Sequence, residues 1–296
     1  MKSKKIQIFL PCLNEEKTLE KVIQDFILEL PQAEIIVFDN GSEDSSLQIA
    51  RKNNIRIVEV KNKGKGHVIR EMFNIFDGDI LIMVDSDDTY DSKDIKTLIE
   101  PVVNNDYDMI ISNRMDNFEK NSFKKVNYLG NKLIIILVNW IFNSKLNDIM
   151  SGYRVMNKKI TRLPVMSKFF QIETELTIKA LDLGLNIKNI NSFYKKRPSG
   201  SFSKLNAFKD GIQVLWIIFE IFKIYKPLTF FGSFSIFLFI FWILRNFIIK
   251  SPLLLIDNTS LFILIISLIS LITGLILNSM SYFFKELKII NLPNQE

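Results

Sequence analysis

The sequence predicts an α/β fold, a mostly parallel and doubly wound sheet, followed by a two-helix transmembrane hairpin. Three observations carry that expectation. Short β-rich runs alternate with helix-spaced stretches over the first two hundred residues. Polar clusters follow the strands directly, where open α/β sheets place their ligands. Two long apolar runs close the chain.

The strand-like runs are Ile6–Leu10, Glu34–Asp39, Ile55–Val60, Asp79–Asp85 and Asp108–Ile111. Between them, Glu15–Leu30, Ser45–Asn53, Gly66–Phe76 and Ser92–Val103 have helical spacing, with Ser92 and Asp94 able to cap the last. Lys132–Lys145 is amphipathic, with Lys132, Asn139 and Asn143 sharing one face. It reads equally well as a membrane-interface helix or as a core helix. In Phe208–Lys226 the polar positions Lys209, Gln213, Glu220 and Lys223 share a face, and the segment runs straight into an apolar stretch. That continuity favours the membrane interface.

Leu228–Ile249 is interrupted only by Arg245 and Asn246, and Leu261–Phe284 carries no charge. Each exceeds the roughly 20 residues that cross a bilayer's hydrocarbon. The apolar run at the N-terminus is too short, before Pro11, Asn14 and two glutamates, for a signal peptide. Lys223, Lys226, Lys285 and Lys288 flank the outer ends of the pair, against Arg245 and Lys250 on the other side. The expectation is an integral membrane protein with both termini cytoplasmic. The expected division is a cytosolic domain 1–206, a juxtamembrane helix 207–227, spans 228–249 and 261–284 joined by the loop 250–260, and a cytosolic tail 285–296.

Composition narrows the chemistry. Of 296 residues, 48% are hydrophobic and 24% charged, the net charge is +6, and the mean hydropathy is +0.16. Such hydropathy fits that charge content only if the apolar residues are concentrated, as they are at the C-terminal end. Cys12 is the sole cysteine and His67 the sole histidine. That excludes a disulfide framework and Cys/His zinc clusters. Cys12 reads as a small buried residue, and His67 as packing in the turn after Gly66.

Asp85-Ser86-Asp87-Asp88 leaves an apolar strand, and carboxylates at i and i+2 can converge on one hard cation that also takes phosphate oxygens. Acidic turns of this kind are also common solvated loops. Lys63-Gly64-Lys65-Gly66 lacks both the spacing of a P-loop and the third glycine of a dinucleotide fingerprint. The basic stretch Arg197–Asn206 has no interleaved stacking aromatics, so no nucleic acid is expected.

Taken in order, PCLNEE (Pro11–Glu16), DNGSEDSS (Asp39–Ser46), NKGKG (Asn62–Gly66) and DSDD (Asp85–Asp88) resemble the family-2 inverting glycosyltransferases of the GT-A fold. SNR (Ser112–Arg114), SGYR (Ser151–Arg154), FQIETEL (Phe170–Leu176) and RPSGSFSKLN (Arg197–Asn206) resemble the branch that holds dolichyl-phosphate mannose synthases and bacterial polyprenyl-phosphate glycosyltransferases.

The resemblance implies a nucleotide diphosphate-sugar donor, a polyprenyl phosphate acceptor, contact with membrane lipid, and Mg²⁺ or Mn²⁺. It implies that Pro11, Asn14, Glu15, Asp39, Lys65, Asp85 and Ser86 line the nucleotide pocket. Asp85 and Asp87 are the implied D-x-D metal pair. Arg114, Arg154, Arg197, Ser203 and Lys204 are implied to handle phosphates and acceptor. Glu173 and Glu175 are either a base or orienting groups for Arg154 or Arg197. A lipid monophosphate, mostly dianionic at pH 7, needs positioning more than deprotonation, which favours orientation.

Asn40 stands where the family often has a second aspartate, and Thr89 where some mannose synthases have glutamine. A hydroxyl-glycosylating or polysaccharide-making enzyme and an inert sugar-nucleotide-binding membrane subunit are the rival expectations. No Q-x-x-R-W element surrounds Trp140, Trp216 or Trp242, which counts against a processive synthase. The interface helices offer surfaces for homo-oligomerisation.

Overall fold

The computed structural model describes residues 4–119, 125–166, 172–198, 216, 219–248 and 257–290. The chain forms two compact units, Met1–Gly211 and Ile212–Glu296. Ser203 and Lys204, and most of the Phe208–Lys226 segment, lie outside the described residues.

The first unit is built on a seven-stranded sheet. Its strands are β1 (Ile6–Cys12), β2 (Glu34–Asp39), β3 (Arg56–Glu59), β4 (Ile80–Met83), β5 (Met109–Asn113), β6 (Arg154–Asn157) and β7 (Ile187–Asn191). The order across the sheet is β3-β2-β1-β4-β6-β5-β7. β6 runs antiparallel to both β4 and β5, and every other pairing is parallel. The predicted mostly parallel sheet is therefore present, with one reversed strand, β6, inside it.

Alternation along the central strands sends side chains to two separate cores. Ile8, Leu10, Val37, Ile80, Ile82 and Ile110 pack on one face against helices α1 (Leu19–Glu29), α2 (Ser46–Lys52) and α4 (Ile95–Val103). Phe9, Phe38, Leu81, Met83, Met109 and Ile111 pack on the other against α3 (Lys65–Ile75), α6 (Lys158–Thr161) and α7 (Ile172–Asp182). Helices on both faces complete the doubly wound arrangement.

Several boundaries differ from expectation for local reasons. α1 begins at Leu19, because residues 15–18 form a turn in which Thr18 N and Leu19 N both donate to Glu15 O. Thr18 Oγ1 there donates to Ser86 O at 2.7 Å. The cap before α4 is Asp91, whose carboxylate accepts from Lys93 N, and Ser92–Asp94 form a 3₁₀ turn; Asp94 Oδ2 instead accepts from Phe193 N. α5 spans Lys125–Phe142, and its exit is closed by Asn139. The Asn139 amide donates to Leu146 O, and its oxygen accepts from Leu146 N and Ser144 Oγ. Asn139 thus serves the helix end rather than a solvated face. α5 also divides its apolar residues: Ile134, Ile135, Val138 and Ile141 are buried, whereas Leu129, Leu133, Ile136 and Trp140 are exposed.

In the second unit, α8 (Pro227–Ile248) and α9 (Asn258–Ile290) are both long and apolar enough to cross a membrane. They pack antiparallel along a seam of small and polar residues, as expected where hydrocarbon surrounds a helix pair. Ser267 Oγ donates to Ser235 O at 2.9 Å, and Ser270 Oγ to Phe231 O at 2.9 Å. At Gly274 an added Cβ would lie 3.0 Å from Phe231 Cβ, so the glycine lets the two helices approach more closely than a side chain would without displacement. At the opposite end Arg245 forms a two-pronged pair with Asp257, at 2.9 and 2.7 Å. α9 starts before the expected end of the 250–260 loop and runs past Phe284 into the expected tail.

Candidate active site

Three loops at the carboxyl ends of β1, β2 and β4 meet above the sheet. The first two are zipped together by hydrogen bonds from backbone N–H groups to side chains. Asn14, at φ 54°, donates its N–H to Ser42 Oγ, and its side-chain oxygen accepts from Glu43 N at 2.8 Å. Glu15 N donates to Ser46 Oγ at 2.9 Å. Asp39 is buried and accepts from Gly41 N and Ser42 N, the turn that glycine permits at φ 88°. Cys12 lies beneath, and burial pushes its thiol up to about 12, an inert state.

Asn40 is the departure from the family pattern, and its surroundings explain it. Its amide donates to Val60 O at 3.1 Å and Asn62 O at 2.8 Å, and its oxygen accepts from Gly64 N at 2.6 Å. A carboxylate has no proton to donate to two carbonyls. Asn40 therefore ties the NKGKG loop to the end of β2 and fixes the start of α3, where Lys65 stands.

The D-x-D turn is held from both sides. Ser86 Oγ donates to Pro11 O at 2.6 Å. Asp87 Oδ1 accepts from Thr89 Oγ1 at 2.5 Å and from Thr89 N at 3.2 Å, while Arg197 pairs with Asp87 Oδ2. Asp85 Oδ1 meets Lys65 Nζ at 2.6 Å, and the same ammonium meets Glu173 Oε1 at 2.5 Å. His67, two residues after Lys65 in α3, contacts Arg70 at 2.8 Å.

Charge and burial are closely balanced in this group. Burial would raise Asp85, but the charges of Lys65, Arg114 and Arg197 outweigh it and hold its carboxyl below the usual range. Burial and the neighbouring Asp85 push Asp87 the other way, upward. Burial disfavours the charged form of Lys65, and Asp85 and Glu173 overcome this, so the ammonium is firmly protonated.

Asp85 and Asp87 are hard oxygen donors of the kind that bind Mg²⁺ or Mn²⁺. At Gly152 a Cβ would sit 2.2 Å from Asp85 Oδ2, so this glycine keeps open the space beside that oxygen. Among the described residues no set of three or more His, Cys, Asp or Glu side chains converges for a metal. Two protein carboxylates, completed by phosphate oxygens and water, fit such an ion.

The remaining residues named by the sequence separate. Arg114 lies 5.4 Å over the Tyr194 ring and pairs with Asp148 through Nε (2.7 Å) and Nη2 (3.1 Å). Arg154 is fully buried. It donates to Ser151 O, Ile149 O and Thr177 Oγ1 at 2.8, 2.7 and 3.0 Å, and burial lowers it to about 10. This corrects its implied contact with phosphates: the guanidinium is a buried brace for the loop entering β6. Glu175 pairs with Lys179 at 2.6 Å and accepts from Met166 N at 2.8 Å, on a different side of α7 from Glu173. Glu173 is bonded to Lys65, and its negative charge also acts on Arg154.

Asp148, Tyr90, Tyr194 and Gly152 belong to the site's support and escaped the sequence reading. Tyr90 Oη accepts from Gly152 N at 2.9 Å. Lys195 N donates to Thr89 O at 2.8 Å, which lays the segment bearing Arg197 against the D-x-D turn. Gly152, inside the SGYR motif, is the one whose spacing could have marked it.

The sequence profile of Glycosyl transferase family 2 matches residues 7–163. Protein RfbJ of Shigella flexneri is 42% identical over 120 residues, covering 40% of this chain and 93% of that protein. A dolichyl-phosphate hexose transferase of Haloferax volcanii is 23% identical over 210 residues, covering 71% of this chain and 90% of that protein. In structure, glucosyl-3-phosphoglycerate synthase of Mycobacterium tuberculosis, crystallised with Mn²⁺, UDP and glucosyl-3-phosphoglycerate, superposes with a TM-score of 0.60 at 22% identity. It covers 73% of this chain and 80% of that one, a likeness of fold. With a family match over more than half its length and the family's motifs gathered at one end of the sheet, this chain belongs to glycosyl transferase family 2.

Proposed function

We propose that the chain is a membrane-anchored, inverting glycosyltransferase that moves a sugar from a nucleotide diphosphate-sugar to a polyprenyl phosphate at the cytoplasmic face. The observation that carries this reading is the charge cluster itself: Asp85 and Asp87 side by side, each paired with a cation, Lys65 and Arg197, from a different segment. Asp85 and Asp87 would hold Mg²⁺ or Mn²⁺, which supplies positive charge to the diphosphate as the anomeric bond breaks. Pro11, Asn14, Glu15 and Asp39 border the nucleotide. Lys65 and Arg197 stand where ionised phosphates need counter-charge, with Ser203 and Lys204 following Arg197 in the chain.

Further points support the acceptor class. The buried carboxylate of Glu173, which shares Lys65 with Asp85, is held by that ammonium and does not stand ready as a base. A lipid phosphate, already ionised near neutrality, needs none. The two span-length helices and the exposed stripe Leu129, Leu133, Ile136 and Trp140 suit an enzyme working at a bilayer surface. The name of the Haloferax relative supports the same acceptor class. Lysines at the outer ends of the helix pair support cytoplasmic termini.

The test is incubation of the purified full chain with Mn²⁺, a panel of labelled nucleotide sugars, and undecaprenyl or dolichyl phosphate. A chloroform-soluble, mild-acid-labile product is expected with one donor. Glycosylation of a free sugar with no lipid product from any donor would overturn the acceptor assignment.

A further inference from the structure

The position of Glu173 has a chemical purpose that neither a base nor a phosphate contact accounts for. It opens α7 and is 4% exposed, while its oxygen lies 2.5 Å from Lys65 Nζ. That ammonium is also 2.6 Å from Asp85 Oδ1. Lys65 is thus shared between two carboxylates, one belonging to the D-x-D pair and one lying outside it.

Sharing matters because a lysine and a divalent cation compete for the same carboxylate. An ammonium directed at Asp85 alone would neutralise it, and a metal ion would then have to displace a buried ion pair. A second carboxylate on the far side of Lys65 divides that charge. The five groups Asp85, Asp87, Glu173, Lys65 and Arg197 sum to one negative charge, so the cluster retains attraction for a cation. Glu175, two residues on, is engaged by Lys179 and Met166 and does not substitute for Glu173.

We infer that Glu173 is a positioning residue that acts through Lys65, drawing the ammonium off Asp85 so that this carboxylate can hold a divalent cation together with the donor diphosphate. The inference rests on the functional reading above and deepens it. It makes a prediction that simple loss of negative charge does not: the effect of removing Glu173 depends on Lys65 being present.

The experiment is a double-mutant cycle on the detergent-solubilised full chain, reading Mn²⁺ uptake by electron paramagnetic resonance with UDP or GDP as the nucleotide probe, and thermal unfolding in parallel. Glu173→Gln should weaken Mn²⁺–nucleotide binding roughly tenfold, within the range for directly coupled groups. In a Lys65→Met background the same substitution should change binding by less than about twofold. Equal losses in both backgrounds would overturn the inference. If Lys65→Met does not fold, Lys65→Gln takes its place with the same expectation. A wild-type chain that takes up no Mn²⁺ with either nucleotide would overturn the functional reading and the inference with it. Uptake by wild type with an additive cycle would overturn the inference alone.

Discussion

Gly152→Ala adds one methyl group, and the structure says which atoms must yield. The new Cβ would lie 2.2 Å from Asp85 Oδ2 and 2.7 Å from its Cγ, where ordinary contact begins at 3.4 Å. The carboxylate oxygen must therefore retreat by about 1.2 Å, because the backbone has little freedom to do so instead. Gly152 N is held by Tyr90 Oη at 2.9 Å, and Ser151 O on the preceding residue accepts from buried Arg154 at 2.8 Å. Asp85 in turn is held at 2.6 Å by Lys65, so its retreat disturbs that pair and moves the oxygen beside which a metal would sit. Metal–oxygen distances tolerate only a few tenths of an ångström. A misplacement near 1 Å costs about 100-fold in rate. The expected result is a turnover loss of about that size with weakened Mn²⁺-dependent nucleotide binding, while the midpoint of thermal unfolding moves by only a few degrees. Lipid-product formation and Mn²⁺ titration on the same preparation measure both. Turnover and Mn²⁺ affinity within about threefold of wild type would refute the claim that this glycine makes room for the D-x-D carboxylate.

Three other outcomes follow from the geometry. Asn40→Asp, although it restores the residue common in the family, should destabilise by about 3 kcal/mol at pH 7, since two donated hydrogen bonds are lost and a charge faces carbonyls. Its neutral form suits the site better, so the loss should shrink toward pH 5; thermal unfolding equal to wild type at both pH values would contradict the Asn40 network. Asp108 is held below the usual carboxylate range: burial opposes this, but hydrogen bonds from Asn157, Asn186 N and Lys159 prevail. Its stabilisation is therefore complete above the ordinary value of about 4 and is lost as pH falls through the lower native one. Asp108→Asn should lower stability at pH 7 and flatten the decline below about pH 4, which unfolding midpoints across that range would reveal. Ser235→Cys with Ser267→Cys places two thiols where hydroxyl oxygens are 3.1 Å apart, so oxidation should link α8 to α9 within one chain. Peptide mapping that finds the two thiols unlinked would contradict the register of the hairpin.

The sequence was legible where the signal is local. β2 spans Glu34–Asp39 as its unbroken β-rich run predicts, and α2 and α3 fall within one residue of expectation at each end. The apolar lengths before Ile249 and Phe284 were enough to mark α8 and α9. β6 and β7 were not foreseen. RVMN is four residues long and opens with a buried arginine, and IKNIN is an edge strand with a mixed pattern. Both become strands through what they pair with rather than through their own periodicity.

The same division runs through the site. By itself the sequence determined the fold class, the two apolar helices and the D-x-D turn, because periodicity, length and adjacent carboxylates are properties of neighbouring residues. Only the tertiary structure decided which cation meets which carboxylate. Lys65 reaches Asp85 across 20 residues and Arg197 reaches Asp87 across 110. It also separated two arginines that look alike in sequence: Arg154 is sealed among carbonyls, while Arg114 pairs with Asp148 and lies over the Tyr194 ring. Burial and partner choice depend on how distant segments pack, and the energy of a charge depends on that surrounding more than on the residue that carries it.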